Sequence, residues 1–263
     1  MAYFLIIFFV GAAVGSFVNV LIDRTIAGRD WVRGRSQCDH CHKTLAWYDM
    51  VPIVSFVMYQ AKSRCCRTPL SFQYPIVETI VGLLFAWWMM VGFVFFRLVS
   101  APLSVVQPLF WLITGVILLI LLLSDLFYGV VLMNIVWLGV SATIFYRLVL
   151  GYFGAYQSMD LYLSVLTGIC FFAFFWGLWK MTRGRGMADG DMYVALYMGL
   201  LLGYPKALLA LAGSFILGAV VGVLLIVTKI RSRKDTVPFV PFIVVSMIIV
   251  LVWGNSITSF LGL

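Results

Sequence analysis

Eight apolar runs, most of them long enough to cross a bilayer, leave this 263-residue chain few ways to fold. They occupy about 3–22, 74–96, 105–124, 130–150, 158–179, 192–204, 207–228 and 238–262. A hydrocarbon core takes roughly 20 helical residues to cross. Inside it every backbone N–H and C=O must find a partner within the protein, which a helix provides and an open strand does not. The pattern therefore predicts an all-α polytopic membrane protein with about eight transmembrane helices. Hydrophobic types make up 63% of the chain and charged residues 11%, against roughly 45–50% and about 25% in soluble domains. That balance excludes a water-soluble globule. The first run has no basic residue ahead of it and no clear small-residue cleavage site, so it reads as a retained helix and not as a signal peptide. The sixth run is short and opens in a glycine-rich stretch. It reads as a half-span or a re-entrant segment, which is tolerated only where protein or water covers the backbone.

The formal charge is +8, from 18 Lys and Arg against 10 Asp and Glu. In a soluble chain this balance points toward nucleic acid; here no nucleic-acid partner is needed, because the cations fall on alternate loops. The segment 23–73 holds Arg24, Arg29, Arg33, Arg35, Lys43, Lys62, Arg64 and Arg67. The loop after the fifth run holds Lys180, Arg183 and Arg185, and the loop after the seventh holds Lys229, Arg231, Arg233 and Lys234. Only Arg97, Arg147 and Lys206 are left for the other side. Loops rich in Lys and Arg stay in the cytoplasm, so both termini are expected outside and 23–73 inside. Three parts follow: a first transmembrane helix over 1–22, a small cytoplasmic, membrane-apposed insertion over 23–73, and a transmembrane bundle over 74–263.

Seven of the ten acidic residues (Asp23, Asp30, Asp39, Asp49, Asp160, Asp189 and Asp235) sit in loops or at chain reversals. Glu78, Asp125 and Asp191 each touch a span, where a carboxylate costs about 2.5–3.5 kcal/mol at the helix centre and usually has a role. Asp125 closes the third run and Asp191 opens the sixth, both at the cytoplasmic end, so the two are candidates for a dyad. The plainer alternative is that both mark the helix–water boundary, with Asp191 favoured by a helix N-terminus. The run from Gly184 to Asp191 is unusually rich in glycine for a helix start, which suits close approach of another chain. Glu78, three positions after Pro75, reads as a first-turn carboxylate with an orienting role.

Cys38 and Cys41 form a C-x2-C turn around Asp39 and His40, and Cys65-Cys66 follow. Four cysteines in one basic cytoplasmic segment do not suit a disulfide framework in a reducing compartment, and zinc is the favoured reading. Side chains of adjacent cysteines diverge, so either Cys65 or Cys66 is a bystander with His40 or His42 completing a tetrahedral shell, or all four cysteines ligate. Unmetallated thiols are the remaining option. Cys170, within the fifth run, reads as a small buried apolar residue.

The order and spacing of several segments resemble the type IV prepilin peptidases over essentially the whole chain. They are Gly15-Ser16-Phe17-Val18-Asn19-Val20-Leu21-Ile22-Asp23-Arg24, the cysteine segment, Ser71 to Glu78, Ser124-Asp125-Leu126, and Gly190-Asp191. The resemblance implies a GxGD-type intramembrane aspartyl protease that removes basic leaders from prepilins or pseudopilins at the cytoplasmic face of the bacterial cytoplasmic membrane. It places the catalytic aspartates on Asp125 and Asp191, with Gly190 and Asp189 as supporting residues of the glycine motif. It further implies zinc on the cysteines and, in many members, N-methylation of the new amino terminus with S-adenosylmethionine. Ala188 replaces the first glycine of GxGD, Leu132-Met133 stands where the family has Pro-Asp or Pro-Asn, and Tyr193 stands where it has Lys. Ser63 occupies the first position of the second C-x2-C, Cys66 keeps the family position, and Cys65 is displaced.

The chemistry has its own logic. Amide hydrolysis without a metal or covalent nucleophile needs one carboxylate to take a proton from water and another to give one to the amide. Two aspartates held together share a proton and serve both needs, and their titrations belong to the pair. Two other readings compete: a proton-coupled transporter with Asp125 and Asp191 as a relay, and a non-catalytic zinc-binding membrane scaffold. Polar residues deep in the spans are scarce, which disfavours the transporter.

Overall fold

A computed structural model describes residues 2–30, 34–38, 40–95, 103–155, 157–184, 187–230 and 237–261. Outside these lie Arg33, Arg97, Arg185, Arg231, Arg233 and Lys234 of the charge argument, Asp39 and Asp235 among the loop acids, and Gly186 of the glycine-rich stretch. The described residues are almost entirely helical. The helices are α1 (Ala2–Ile26), α2 (Val54–Met58), α3 (Gln73–Phe95), α4 (Leu103–Tyr128), α5 (Met133–Tyr152), α6 (Ser158–Thr182), α7 (Gly190–Leu202), α8 (Lys206–Val227) and α9 (Val240–Leu261). Seven of them are long and apolar enough to span a membrane, as a multi-pass membrane protein requires. The sixth apolar run is the exception. At 13 residues and 1.5 Å per residue, α7 is about 20 Å long, short of a hydrocarbon core of about 30 Å.

The chain divides into two compact units, 1–116 and 117–263. In the first, α1 and α3 pack antiparallel with their backbones close. A Cβ on Gly15 would stand 2.8 Å from Glu78 Cα, and one on Gly11 would stand 2.6 Å from Phe85 Cβ. Gly11 and Gly15 are four apart, the spacing of small residues that lets apolar helices approach without a hydrophobic driving force. A π-helical turn interrupts α3 over Trp88–Gly92. Between α1 and α3 lie a 3-10 turn (Trp47–Met50), α2, and two isolated β-bridges, Gln37 with Thr44 and Lys62 with Pro69.

In the second unit α7 is the hub, touching α5, α6, α8 and α9. All of its residues except Tyr193 and Leu196 are buried. A helix apolar all round lacks a polar face to offer water, and enclosure is its stable solution. Gly199 makes the closest crossing: a Cβ there would fall 2.6 Å from Gly168 Cα on α6. The partners of α7 keep much of their own apolar surface outward, α8 most of all.

Candidate active site

The short helix α7 carries Asp191 in its first turn. Asp191 is 3% exposed, whereas Asp189, the residue before Gly190, is exposed. Alternate positions of the glycine motif therefore point one carboxylate inward and leave the other in the open. Gly190 has an ordinary negative φ, and the demand on it is steric. A Cβ there would fall 2.5 Å from Val131 Cγ2 in the turn that joins α4 to α5. The glycine lets that turn close against the start of α7.

Asp125 comes from the last turns of α4 and is 5% exposed. Gly129 follows at φ +63°, with its N–H on the Asp125 carbonyl at 2.9 Å. This left-handed glycine stops the helix just beyond the aspartate. The Asp125 side chain accepts a hydrogen bond from the N–H of Val240 at 3.2 Å, the first residue of α9. Both carboxylates thus stand at helix N-termini, Asp191 at α7 and Asp125 at α9, where the positive end of the helix dipole favours negative charge. Asp125 is near enough for its charge to act on Asp191. The two aspartates singled out from sequence are therefore both buried, and both belong to the second unit.

Two contributors escaped the sequence reading. The Val240 N–H belongs to an apolar run and carries no residue-type signal. Arg147, assigned by charge counting to the outer side, is a buried side chain of α5. It donates from Nε to the Leu200 carbonyl at 2.8 Å and from Nη2 to the Leu201 carbonyl at 3.1 Å. It thereby satisfies carbonyls at the C-terminus of α7 that a helix end leaves without partners, in the place where the dipole favours a cation. A lone arginine inside an apolar run was the available clue. Tyr193, where the family has Lys, meets the edges of Trp137 and Phe172, with ring centroids 6.0 and 5.4 Å away.

Glu78 belongs to the first unit. Its Oε2 accepts the N–H of Ile53 at 2.7 Å, and Ile53 has a strained φ of +62° at the start of α2. An orienting role for this carboxylate matches that contact: it holds the inserted segment against α3.

The cysteine segment repeats one turn twice. Cys38 N–H bonds the Lys43 carbonyl and His42 N–H bonds the Cys38 carbonyl; Ser63 N–H bonds the Thr68 carbonyl and Arg67 N–H bonds the Ser63 carbonyl. The two bridges flank these turns at equivalent places, and His42 and Arg67 both take positive φ. Ser63 therefore sits where Cys38 sits in the first turn, and Cys66 matches Cys41. Cys65 Sγ reaches to 3.0 Å from Ser63 Oγ, which is itself 3.3 Å from Cys38 Sγ. The Sγ atoms of Cys38, Cys41, Cys65 and Cys66 lie within 4.8 Å of one another, in a group that includes neither His40 nor His42. Adjacent cysteines do diverge in extended chain, but the tight turn brings both sulfurs inward.

This donor set fits zinc. Tetrahedral thiolates at about 2.3 Å from the ion stand about 3.8 Å apart, against 3.7 Å for Cys38–Cys66 and 3.1 Å for Cys41–Cys65. Burial pushes the Cys38 thiol up, but hydrogen bonds from Ser63 and from the backbone of Cys41 and His40 outweigh it and bring it down to about 6. The Cys65 contact pushes Cys41 up to about 12. Thr68, through its side chain and its backbone, draws Cys66 down. Any of these sulfurs that is still a thiol is one a bound cation would deprotonate.

The comparisons with known proteins follow the same division. Residues 9–92 match the bacterial peptidase A24 N-terminal domain. The chain is 30% identical over 236 residues to a prepilin leader peptidase/N-methyltransferase of Myxococcus xanthus, covering 88% of this chain and 65% of that protein. It therefore spans slightly less than two thirds of that relative. Proteins of the same name from Aeromonas hydrophila and Stutzerimonas stutzeri are 25% and 26% identical, covering 97% and 98% of this chain and 92% and 93% of theirs. No solved structure matches. In its N-terminal domain and along most of its length, the chain is similar to proteins named prepilin leader peptidase/N-methyltransferase.

Proposed function

We propose that this protein is a prepilin leader peptidase that cuts the basic leaders of prepilins or pseudopilins with Asp125 and Asp191. The burial of both carboxylates within electrostatic reach of each other carries the reading. One carboxylate takes a proton from the attacking water while the other gives one to the leaving amide nitrogen, and a single shared proton lets the pair do both. The exposed Asp189 acts on Asp191 only as a neighbouring charge. Placement in the bacterial cytoplasmic membrane with the active site toward the cytoplasm follows from the Lys and Arg of alternate loops, and it suits substrates with basic leaders.

The second half of the relatives' name supports N-methylation of the new amino terminus, with S-adenosylmethionine as methyl donor. Zinc on Cys38, Cys41, Cys65 and Cys66 supplies no reaction step; it ties the two turns of the 23–73 insertion together, and its binding energy is folding energy for that segment.

Co-expression with a candidate prepilin tests the proposal, read as leader loss and as the mass of the mature amino terminus. Asp125→Asn or Asp191→Asn leaves the prepilin uncut; cleavage by either variant at the normal rate overturns the dyad. Labels near Gly151 are accessible from outside intact cells and labels after Lys180 are not; the reverse pattern removes cleavage at the cytoplasmic face.

A further inference from the structure

The link between α4 and α5 passes both aspartates. Its first residue, Gly129, bonds the Asp125 carbonyl, and Val131 lies against Gly190, the neighbour of Asp191. Residues 130–132 form neither helix nor turn, and Leu132 is extended, with φ −77° and ψ 94°. Successive residues of an extended chain send their N–H and C=O groups to opposite edges. On one edge the link is bonded to its own helices: the Val130 N–H reaches the Ser124 carbonyl at 3.5 Å, and the Leu132 carbonyl accepts the N–H groups of Ile135 and Val136 at 2.9 and 3.1 Å. Val131 belongs to the other edge. Its N–H and C=O have no partner among the described residues, and the residue is partly exposed.

Backbone groups in a membrane bundle need partners, from water or from another chain. A peptide entering the site has the same need. Helical backbone ties each carbonyl to an N–H four residues on, so an amide that two carboxylates are to reach must come from chain that has unwound. Unwound chain at the membrane carries unanswered N–H and C=O groups of its own. One residue of an extended peptide presents one N–H and one C=O on a single edge, the complement of what Val131 presents. The Val131 side chain is already packed on Gly190. The pairing therefore reads backbone and leaves the choice of sequence to other groups.

We propose that the 130–132 link is a docking edge on which the substrate lies as an added extended strand, paired through the N–H and C=O of Val131, so that the scissile amide is held beside Asp125 and Asp191. The inference rests on the peptidase part of the proposed function and adds to it the conformation in which the substrate is held and the residue that holds it.

The test uses the full chain in lipid nanodiscs and synthetic peptides spanning the leader junction of a prepilin, each with one N-methyl group on a different backbone nitrogen flanking the scissile amide. The protein stays unaltered, so misfolding does not enter. A methyl in place of a paired hydrogen removes a hydrogen bond and blocks the approach of the strand, which should lower kcat/KM about tenfold or more. A strand edge produces that loss at alternate residues and leaves those between close to the unmodified peptide. Equal sensitivity at successive positions, or none, overturns the added strand. Hydrogen exchange of the Val131 amide then locates the edge, read in Asp125→Asn, which leaves the peptide uncut and whose side chain can still accept the Val240 N–H. Exchange slows about tenfold or more when unmodified peptide is added to saturation. Unchanged exchange at Val131 overturns the assignment whatever the methyl pattern, and makes water the partner of that N–H. Cleavage of the unmodified peptide by the unaltered protein with neither signature sinks this edge and leaves the peptidase standing. Protection of Val131 by a peptide that the unaltered protein never cuts does the reverse.

Discussion

The cysteine-bearing insertion and the aspartate-bearing helix α7 are both short, and opposite forces hold them. Neither the 3-10 turn nor α2 of the insertion has a buried residue. Its order comes from paired turns, the Arg64–Asp49 ion pair at 2.7 Å and four clustered sulfurs. The arginine of that pair is open to solvent, which weakens it, so the paired turns and the clustered sulfurs are the main fastening. In α7 nearly every side chain is buried among four neighbouring helices, its N-terminus is pressed against Val131, and its C-terminal carbonyls are held by Arg147. Enclosure fixes the carboxylate there; paired turns and clustered sulfurs fix the chain in the insertion.

The sharpest break in the comparison comes from the aspartates. Asp191→Asn or Asp125→Asn should lower leader cleavage by roughly 10²–10⁴-fold, the usual loss on removing a general acid or base, with membrane insertion and zinc content unchanged. Asp189→Ala should cost far less, and an essential Asp189 beside a dispensable Asp191 would mean that the glycine motif is out of register. Cleavage by the unaltered protein should fall at both low and high pH, because one carboxyl must be ionised and the other protonated. A rate that rises steadily with pH would rule out a shared proton.

Next in size is the α6–α7 crossing. Gly199→Leu drives a side chain into the Gly168 backbone and should destabilise the second unit by about 1–3 kcal/mol or more. Lower thermal stability in detergent with a full complement of zinc is the expected pair of results; unchanged stability would show that enclosure is looser than it looks.

Cys38→Ser tests the other side. It should speed hydrogen exchange and proteolysis over 37–69, and weaken methylation or substrate docking more than the proteolytic step. Metal analysis of freshly purified, reduced protein should return about one zinc per chain, and protein free of zinc would remove ligation as the fastening. The smallest effect belongs to Ser63→Cys combined with Cys65→Ala. This pair restores a second C-x2-C turn with Cys66 and should hold zinc as tightly as the natural cluster, since the turn already has the right shape. A large loss would mean that Cys65 reaches the ion in a way the regular position does not reproduce.

The apolar runs alone determined the number and order of the described helices other than α2, because the length of hydrophobic segments is a local property that a bilayer converts directly into spans. They also exposed Asp125 and Asp191, since acids are rare in such runs, and the shortness of α7. The sequence left open whether both adjacent cysteines turn inward, and only the geometry of the repeated turn answered that. It carried no sign that the Val240 N–H meets Asp125 or that Gly190 makes room for Val131. It placed Arg147 on the outer side by charge counting, without a sign that the side chain is buried at the end of α7. Residue type and spacing report what a segment buries, whereas these contacts join positions 28 to 115 residues apart. Several of their partners are backbone groups that every residue carries, and only tertiary packing selects among them.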